Sequence, residues 1–356
     1  SSNKIKVWDA KAPEFNPNTL QSRTLKDVQQ TTQFFDGLGR PIQTVVKQGS
    51  LVTGSNPTDM VSATIYDDYG RESIKYLPFA SSDNNGNFKS SPFQQQTSFY
   101  NTQLNGQSGE TNIGSNNLNW GYSKTAFESS PLNRVLTTYA PGAAWVGSEG
   151  TASDHGINQK YLVNTLDDQV MIWNVVDVSG TFGNYNSPGV YPSGVLFKTV
   201  TEDEHKKQIV EFKDKNGKVI LKKVQLTATA DDGMGRNHSG WLCTYYIYDD
   251  WSNLRCVIQP QAVKLMNDSG NWDVTSYLGE QCFRYEYDQR NRVIMKKVPG
   301  AGEVYMIYDQ WDRVIFSQDA NMRSNNQYLL TKYDQFNRPI ITAIYTYEDA
   351  YEDLLY

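Results

Sequence analysis

Polar and hydrophobic residues alternate along most of the chain in short runs, each closed by turn-forming residues. The run Phe283-Arg284-Tyr285-Glu286-Tyr287 is one example, and the apolar run Val293-Ile294-Met295 follows it after a few residues. Such alternation, rich in aromatic and β-branched residues, is typical of strands with one buried face. Helix signals are weak, and the best candidates are Ser22 to Gln29 and Glu348 to Leu355. The pattern therefore predicts an all-β fold.

A short segment recurs where the runs end, with the pattern Tyr-Asp-x-x-Gly/Asn/Asp-Arg followed by an apolar stretch. The Asp side chain can accept hydrogen bonds from backbone N–H groups two residues on, and Gly, Asn or Asp at the fifth position tolerates a positive φ. Each copy therefore predicts a chain reversal between two strands, and successive units can stack into one continuous sheet. A catalytic pair need not recur at every turn, so we interpret these residues as turn formers. They are Asp36, Gly39, Arg40, Asp67, Gly70, Arg71, Asp249, Asp288, Arg292, Asp309, Arg313, Asp334 and Arg338.

These segments resemble the YD repeats of bacterial RHS/YD-repeat proteins. The opening copy, Phe35-Asp36-Gly37-Leu38-Gly39-Arg40-Pro41, lies in a stretch (31–43) similar to the start of the N-terminal domain of large secreted, cell-surface members. Further similar blocks are 130–135, 139–142 with Trp145, and 240–250. The resemblance implies YD-repeat β-hairpins stacked into a continuous curved sheet, an RHS-type shell segment with polar loop insertions.

The resemblance also implies a role. Family members commonly enclose a C-terminal toxin or effector, which an Asp-Pro-bearing element cuts free. This sequence has no Asp-Pro dipeptide, and no polymorphic tip follows Tyr356. We therefore expect the N-terminal portion of a longer product, or a shortened member. Its expected function is that of a non-catalytic structural segment of a β-shell that encloses or displays the effector.

Partners and location follow from the same resemblance. The expected partners are the remainder of a longer chain or a C-terminal effector, and beyond these the secretion machinery or a cell-surface ligand. The expected location is secreted or at the surface of a bacterial cell. The start, Ser1 to Lys6, lacks the apolar segment of a signal peptide, so either the chain is never exported or its signal has been removed. The resemblance favours the second.

The chain divides by pattern into a lead-in (1–30), an N-terminal RHS-associated β domain (31–200), a YD-repeat sheet (201–345) and a tail (346–356) that continues in a longer protein. Within the N-terminal β domain, the composition of 81–120 predicts a polar insertion, because Asn, Gln, Ser, Thr and Gly make up 28 of its 40 residues. A partly ordered surface loop is one interpretation. Aromatic and amide side chains also suit sugars, so an extracellular glycan- or protein-binding module using 81–120 and exposed aromatics is the alternative function.

Composition and charge exclude several classes of partner and site. The net charge is −6 with no basic run, which argues against nucleic acid and anionic membranes as partners. No apolar stretch approaches the roughly 20 residues of a membrane span. Cys243, Cys256 and Cys282 have neither metal-type spacing nor an even count, so we expect buried free thiols.

Candidate chemistry is sparse. The three histidines, His155, His205 and His238, show no zinc-type spacing, and we expect them at the surface. The tandem acids Asp67-Asp68, Asp231-Asp232 and Asp249-Asp250 match no calcium loop and are expected in solvated turns. Two carboxylates meeting as a glycoside hydrolase pair are a remote alternative. The prediction is a protein that is not an enzyme and has no cofactor or metal.

Overall fold

The computed structural model describes residues 3–24, 26–50, 57–103, 114–115, 118–226 and 233–346. The candidate helix from Glu348, the pair Asp231-Asp232, nearly all of the tail and part of the polar insertion lie outside the described residues. The chain forms two compact units, Ser1–Gln159 with Glu202–Lys206 and Lys160–Thr201 with Lys207–Tyr356.

Antiparallel strands make up most of the regular secondary structure. The earlier strands are β1 (Asn3–Ala10), β2 (Val28–Phe35), β3 (Pro41–Val46), β4 (Met60–Ala63), β5 (Ile74–Tyr76), β6 (Phe79–Ala80), β7 (Gly114–Ser115), β8 (Leu118–Asn119), β9 (Tyr122–Phe127), β10 (Val135–Tyr139) and β11 (Ile157–Val163). The later strands are β12 (Met171–Val176), β13 (Asn184–Val190), β14 (Phe197–Glu202), β15 (Gln208–Lys213), β16 (Val219–Gln225), β17 (Trp241–Tyr248), β18 (Leu254–Ile258), β19 (Cys282–Tyr287), β20 (Val293–Lys297), β21 (Val304–Tyr308), β22 (Val314–Gln318), β23 (Gln327–Tyr333) and β24 (Pro339–Thr346).

Helices are short. The α-helices are α1 (Pro92–Thr102), α2 (Pro260–Ser269) and α3 (Ala320–Arg323), and 3-10 turns lie at Pro17–Ser22, Val146–Ser148, Leu166–Asp168 and Thr275–Tyr277. No helix in the described ranges is long and apolar enough to cross a membrane.

The first unit contains a five-stranded antiparallel sheet in the order β1-β2-β3-β4-β6. Alternate residues of its strands form a small core, to which α1 contributes Tyr100. Also in this unit, β5 pairs with β9, β9 with β10, and β10 with the start of β11. The core members are Phe34, Val45, Val61, Phe79 and Tyr100.

Part of the polar insertion is a helix rather than the loop interpreted from sequence. The buried residues of α1 are Gln96 and Tyr100. The Gln96 amide donates hydrogen bonds to the carbonyls of Leu77 and Gly121 at 2.9 and 2.8 Å. Tyr100 is buried and donates its hydroxyl to the Pro78 carbonyl at 2.8 Å. Aromatic rings of the insertion pack within the unit: Phe88 on Phe34, Phe93 on Tyr76, and Phe99 on Tyr100.

The second unit is a meander in which β14 to β24 are neighbours in chain order. The Tyr-Asp turns join the strands of each hairpin, whereas longer segments lead from β16 to β17 and from β18 to β19, the second of them carrying α2. Each strand nevertheless lies beside the one before it. Its main core lies under β15 to β19, where α2 covers buried side chains of the sheet, and β12 and β13 form a separate two-stranded ribbon. The predicted all-β fold of stacked hairpins with inserted loops is confirmed.

Two expectations about local structure have a clear outcome. The helix expected over Ser22 to Gln29 is wrong, since Val28 and Gln29 begin β2. Two longer helices were missed, α1 and α2. The three cysteines are buried free thiols, as expected.

Candidate functional site

The Tyr-Asp turns are the most regular side-chain arrangement in the structure. In the turn at Asp309, the backbone N–H of Asp309 donates to the Arg313 carbonyl at 3.0 Å, and the N–H of Asp312 donates to the Asp309 carbonyl at 3.2 Å. The Asp309 carboxylate accepts the N–H groups of Trp311 and Arg313 at 2.9 and 3.1 Å through Oδ1. Its Oδ2 accepts Nε of Arg313 at 2.7 Å. One carboxylate therefore fixes both the turn backbone and the Arg side chain.

The same geometry recurs in both units. The Arg Nε lies 2.6–2.8 Å from Oδ2 of the turn Asp in each of the pairs Arg40 and Asp36, Arg71 and Asp67, Arg292 and Asp288, Arg338 and Asp334. The copy at Asp249 is looser, because Asn253 takes the Arg position and its amide lies 3.3 Å from Asp249 Oδ2. Arg255 fills part of the gap, with Nη1 also 3.3 Å from that oxygen.

Contacts between consecutive turns join the hairpins. The Arg292 guanidinium lies over the ring of Tyr308, 4.8 Å from its centroid, and the Tyr308 hydroxyl donates to the Val293 carbonyl at 2.8 Å. Arg313 and Tyr333 repeat the stacking at 4.9 Å, and Tyr333 donates to the Val314 carbonyl at 3.0 Å. In the first unit, Arg40 and Tyr66 do the same, with the hydroxyl on the Pro41 carbonyl. We call these turns with their cross-contacts the turn ladder.

The turn carboxylates are held in their ionised form. The pKa values of Asp36, Asp67 and Asp334 are lowered, chiefly by the backbone N–H of the following Arg and also by its guanidinium. At Asp288 and Asp309 burial by itself would raise the pKa, but the hydrogen bonds outweigh it and the pKa is again lowered. A general acid needs the opposite shift. The ladder can orient and cross-link strands, and its carboxylates are unsuited to proton donation.

His238 is buried, so its expected surface position is wrong. Its Nε2 lies 2.8 Å from the Tyr245 hydroxyl, and its ring packs at 5.0 Å from that of Trp272. Burial, with a smaller effect of the Lys223 charge, lowers the pKa of His238 to about 3. His238 is therefore a neutral core side chain. His205 is exposed and His155 is half-buried.

The sequence analysis also did not predict two buried lysines in the same unit as His238. Lys198 pairs with Asp168 at 2.5 Å, and both side chains are almost fully buried. Lys223 donates to the carbonyls of Gly235 and Asn237 at 3.2 and 2.6 Å. Both ammonium groups also lie over the ring of Phe212, at 5.4 and 5.0 Å from its centroid. Through the Asp168 carboxylate and the two backbone carbonyls they tie loops to the sheet. No group of three His, Cys, Asp or Glu side chains suited to a metal occurs among the described residues.

Comparisons with known proteins give one family model and several solved structures of similar fold. A family model described as a domain of unknown function, DUF6443, matches residues 6–159. A comparison with curated proteins found no match. Among solved structures, the crystal structures of TcdB2-TccC3-TEV and TcdB2-TccC3-Cdc42 match with TM-scores of 0.52 and 0.51, each at 16% identity, over 91% and 90% of this chain.

A third match is the Photorhabdus luminescens Tc holotoxin pore, with a TM-score of 0.51 and 16% identity over 91% of this chain. The chain spans 13% of the length of each of these three chains. The two units thus share their fold with a segment of these toxin-complex proteins.

Proposed function

We propose that the chain is a non-catalytic wall segment of a secreted RHS/YD-repeat protein, forming part of a β-shell that encloses or displays a C-terminal effector. The observation that carries this proposal is the turn ladder, since Arg292 and Arg313 each hold the Asp of their own turn and also bond to the next hairpin. Such contacts can be repeated from one hairpin to the next, so they suit a sheet built from stacked hairpins.

The fold supports the same proposal of a wall segment. One of the matching solved structures is a Tc holotoxin pore, and this chain covers only 13% of the chain it matches there. A wall segment would have the rest of its own polypeptide or an effector as its partner, with secretion machinery or a cell-surface ligand as further partners. Location outside the bacterial cell belongs to the same proposal.

The alternative of a glycan-binding module in 81–120 receives less support. The aromatic rings of Phe88, Phe93, Phe99 and Tyr100, which suggested sugar stacking, have packing partners inside the first unit. We therefore retain the wall segment as the single proposed function.

The test is made on the native gene product of the producing cell. Its intact mass is compared with 40.4 kDa, and the purified product is imaged by electron microscopy and treated with protease. We expect a far larger product with a hollow shell and an internal segment that resists proteolysis until the shell is denatured. A product of 40.4 kDa without a shell would overturn the proposal.

A further inference from the structure

Lys89 in the first unit is a buried ammonium group in contact with two carboxylates. Its side chain is 1% exposed and that of Asp59 is 0% exposed, and Lys89 Nζ lies 2.7 Å from Asp59 Oδ2. Nζ also contacts Oδ1 of Asp83, whose side chain is 44% exposed. Taking charges out of water is costly, so burial favours a step that neutralises the pair. An amine and a carboxyl group therefore lie in contact, with a second carboxylate beside them that reaches solvent.

The backbone around the site holds the two groups together. The Lys89 N–H donates to Gln43 Oε1 at 2.7 Å, and the Gln43 amide donates to the Lys89 carbonyl at 3.1 Å. The Asp59 N–H donates to the Asp83 carbonyl at 2.9 Å. Groups fixed in this way react faster than free ones, because the entropy of bringing them together has already been lost in folding.

The two carboxylate oxygens of Asp59 have different surroundings. Oδ1 accepts the backbone N–H of Gln48 at 2.9 Å. Oδ2 accepts the N–H of Gly86 at 2.7 Å and faces Lys89 Nζ. A donor fixed on Oδ1 stabilises the negative charge that develops there when the carboxyl carbon is attacked. Oδ2, beside the ammonium, is the oxygen placed to take up a proton and leave.

We propose that Lys89 and Asp59 join in an intramolecular amide bond, with Asp83 as the proton carrier. The ammonium gives one proton to Asp59 Oδ2, and the neutral amine attacks the Asp59 carboxyl carbon. Asp83 accepts a second proton from the nitrogen as the C–N bond forms. It passes this proton to the departing Oδ2 hydroxyl, so the C–O bond breaks and one water leaves.

The step is balanced without any further reactant. The product keeps one amide N–H, Asp83 is again a carboxylate, and nothing is oxidised or reduced. It takes place once in each chain and involves no substrate. The inference therefore stands apart from the proposed wall function.

The second unit contains a similar pair without the third group. Lys198 Nζ lies 2.5 Å from Asp168 Oδ1, and both side chains are almost fully buried. The other oxygen of Asp168 accepts the N–H and the hydroxyl of Thr165. Among the residues that the structure describes, Lys198 has no ion pair with a second carboxylate. We expect this pair to stay ionic, because no group is placed to carry the second proton.

The test is the intact mass of the purified full chain under denaturing conditions. We expect the mass of the sequence less one water, and not less two. After trypsin digestion, peptides 48–71 and 76–124 should be joined, because trypsin does not cleave after an acylated lysine. Fragmentation of the joined peptide should place the link between Lys89 and Asp59. Cleavage after Lys198 should remain complete.

Three variants assign the roles, each made by cell-free synthesis and sampled over time. Lys89→Arg keeps the charge but cannot form this amide, so it should keep the full mass of its sequence. Asp83→Asn removes the proton carrier and should slow the loss of water about a hundredfold. Asn85→Ala is the matched control, because Asn85 Oδ1 lies 3.3 Å from Lys89 Nζ and carries no proton. It should lose water at the wild-type rate.

The wild-type mass decides first and depends on no variant. A wild-type chain with the full mass of its sequence would show an ion pair only and would overturn the proposal. So would a water lost elsewhere in the chain, or a link from Lys89 to Asp83. Loss of water from Asp83→Asn as fast as from Asn85→Ala would overturn the role of Asp83. None of these results bears on the shell, which is tested separately on the native product.

Discussion

At the residue scale, the fifth position of each Tyr-Asp turn is the most constrained. Its backbone is left-handed in every described copy, and this conformation strains a side chain branched at Cβ while Asn and Asp tolerate it. A Cβ placed on Gly39 meets nothing within 4 Å, so space does not decide which residue is allowed there. The conformation does. The residues with positive φ at this position are Gly39, Gly70, Ser252, Asn291, Asp312 and Asn337.

The prediction at this scale concerns Gly39, whose φ is +79°. Gly39→Val should lower the free energy of unfolding by about 1–2 kcal/mol, because it forces a β-branched residue into the left-handed region. Gly39→Asn should change it by less than about 0.5 kcal/mol, since Asn occupies the same position at 291 and 337. Urea denaturation of both variants measures the difference. Equal destabilisation by Val and Asn would contradict the assignment.

A second residue-scale prediction follows from the buried imidazole of His238. Its folded pKa of about 3 lies below the ordinary value of about 6.5, so the unfolded chain binds a proton in a range where the folded protein does not. Stability is fully present above about pH 6.5 and falls as the pH is lowered. From pH 7 to pH 5 the free energy of unfolding should decrease by about 2 kcal/mol from this group.

Urea denaturation at pH 7 and at pH 5 tests this prediction, because the difference between the two free energies of unfolding gives the pH dependence. His238→Gln should remove most of this pH dependence, whatever its own effect on stability. His205→Gln changes an exposed histidine and should leave the dependence intact. A wild-type stability that is the same at both pH values would show that His238 titrates normally.

At the scale of elements, the strands and turns were predictable and the helices were not. Each turn is coded by residues within five positions of one another, so Asp309 and Arg313 could be recognised without the rest of the fold. In α1 the buried side chains include a glutamine, so no apolar stripe marks the helix. Only the ends of α2 carry a recognisable sequence signal. Pro260 lies in its first turn, and Gly270, at φ +68°, follows its last residue.

Tertiary burial was beyond sequence reasoning for a different reason. His238 lies in a polar stretch, and nothing local distinguishes it from a surface histidine. It is buried by Tyr245, seven residues on, and by Trp272, which comes from a loop after α2. Such contacts depend on the packing of the unit, and no spacing in the sequence encodes them.

The prediction for elements concerns the polar anchor of α1. Gln96 is buried, and its amide satisfies two backbone carbonyls. Gln96→Leu leaves both carbonyls without this donor and should lower the free energy of unfolding by about 1–3 kcal/mol. The neighbouring Gln94 is exposed, so Gln94→Leu should change it by less than about 0.5 kcal/mol. Urea denaturation compares the two, and equal effects would mean that α1 is not anchored through Gln96.

At the scale of the whole molecule, stability is distributed over repeated junctions. In the second unit the strands from β14 to β24 neighbour one another in chain order, so each hairpin contacts chiefly those beside it. Stability in such arrays is close to a sum of terms for each unit and each junction. Two turns with the same motif should therefore differ in energy when one bonds to the next hairpin and the described contacts of the other lie within its own turn.

The last prediction compares these two kinds of turn directly. Arg313 holds its own Asp309 and also reaches the next hairpin, with Nη1 3.3 Å from the Asp334 carbonyl and 3.1 Å from Asn337 Oδ1. Arg338 pairs within its own turn, with Asp334. Lysine keeps the charge but lacks the planar fork that makes several bonds at once. Arg313→Lys should therefore lower the free energy of unfolding by about 2 kcal/mol, and Arg338→Lys by less than about 0.5 kcal/mol. Urea denaturation of the two variants measures the difference, and equal losses would show that the Arg acts only inside its own turn.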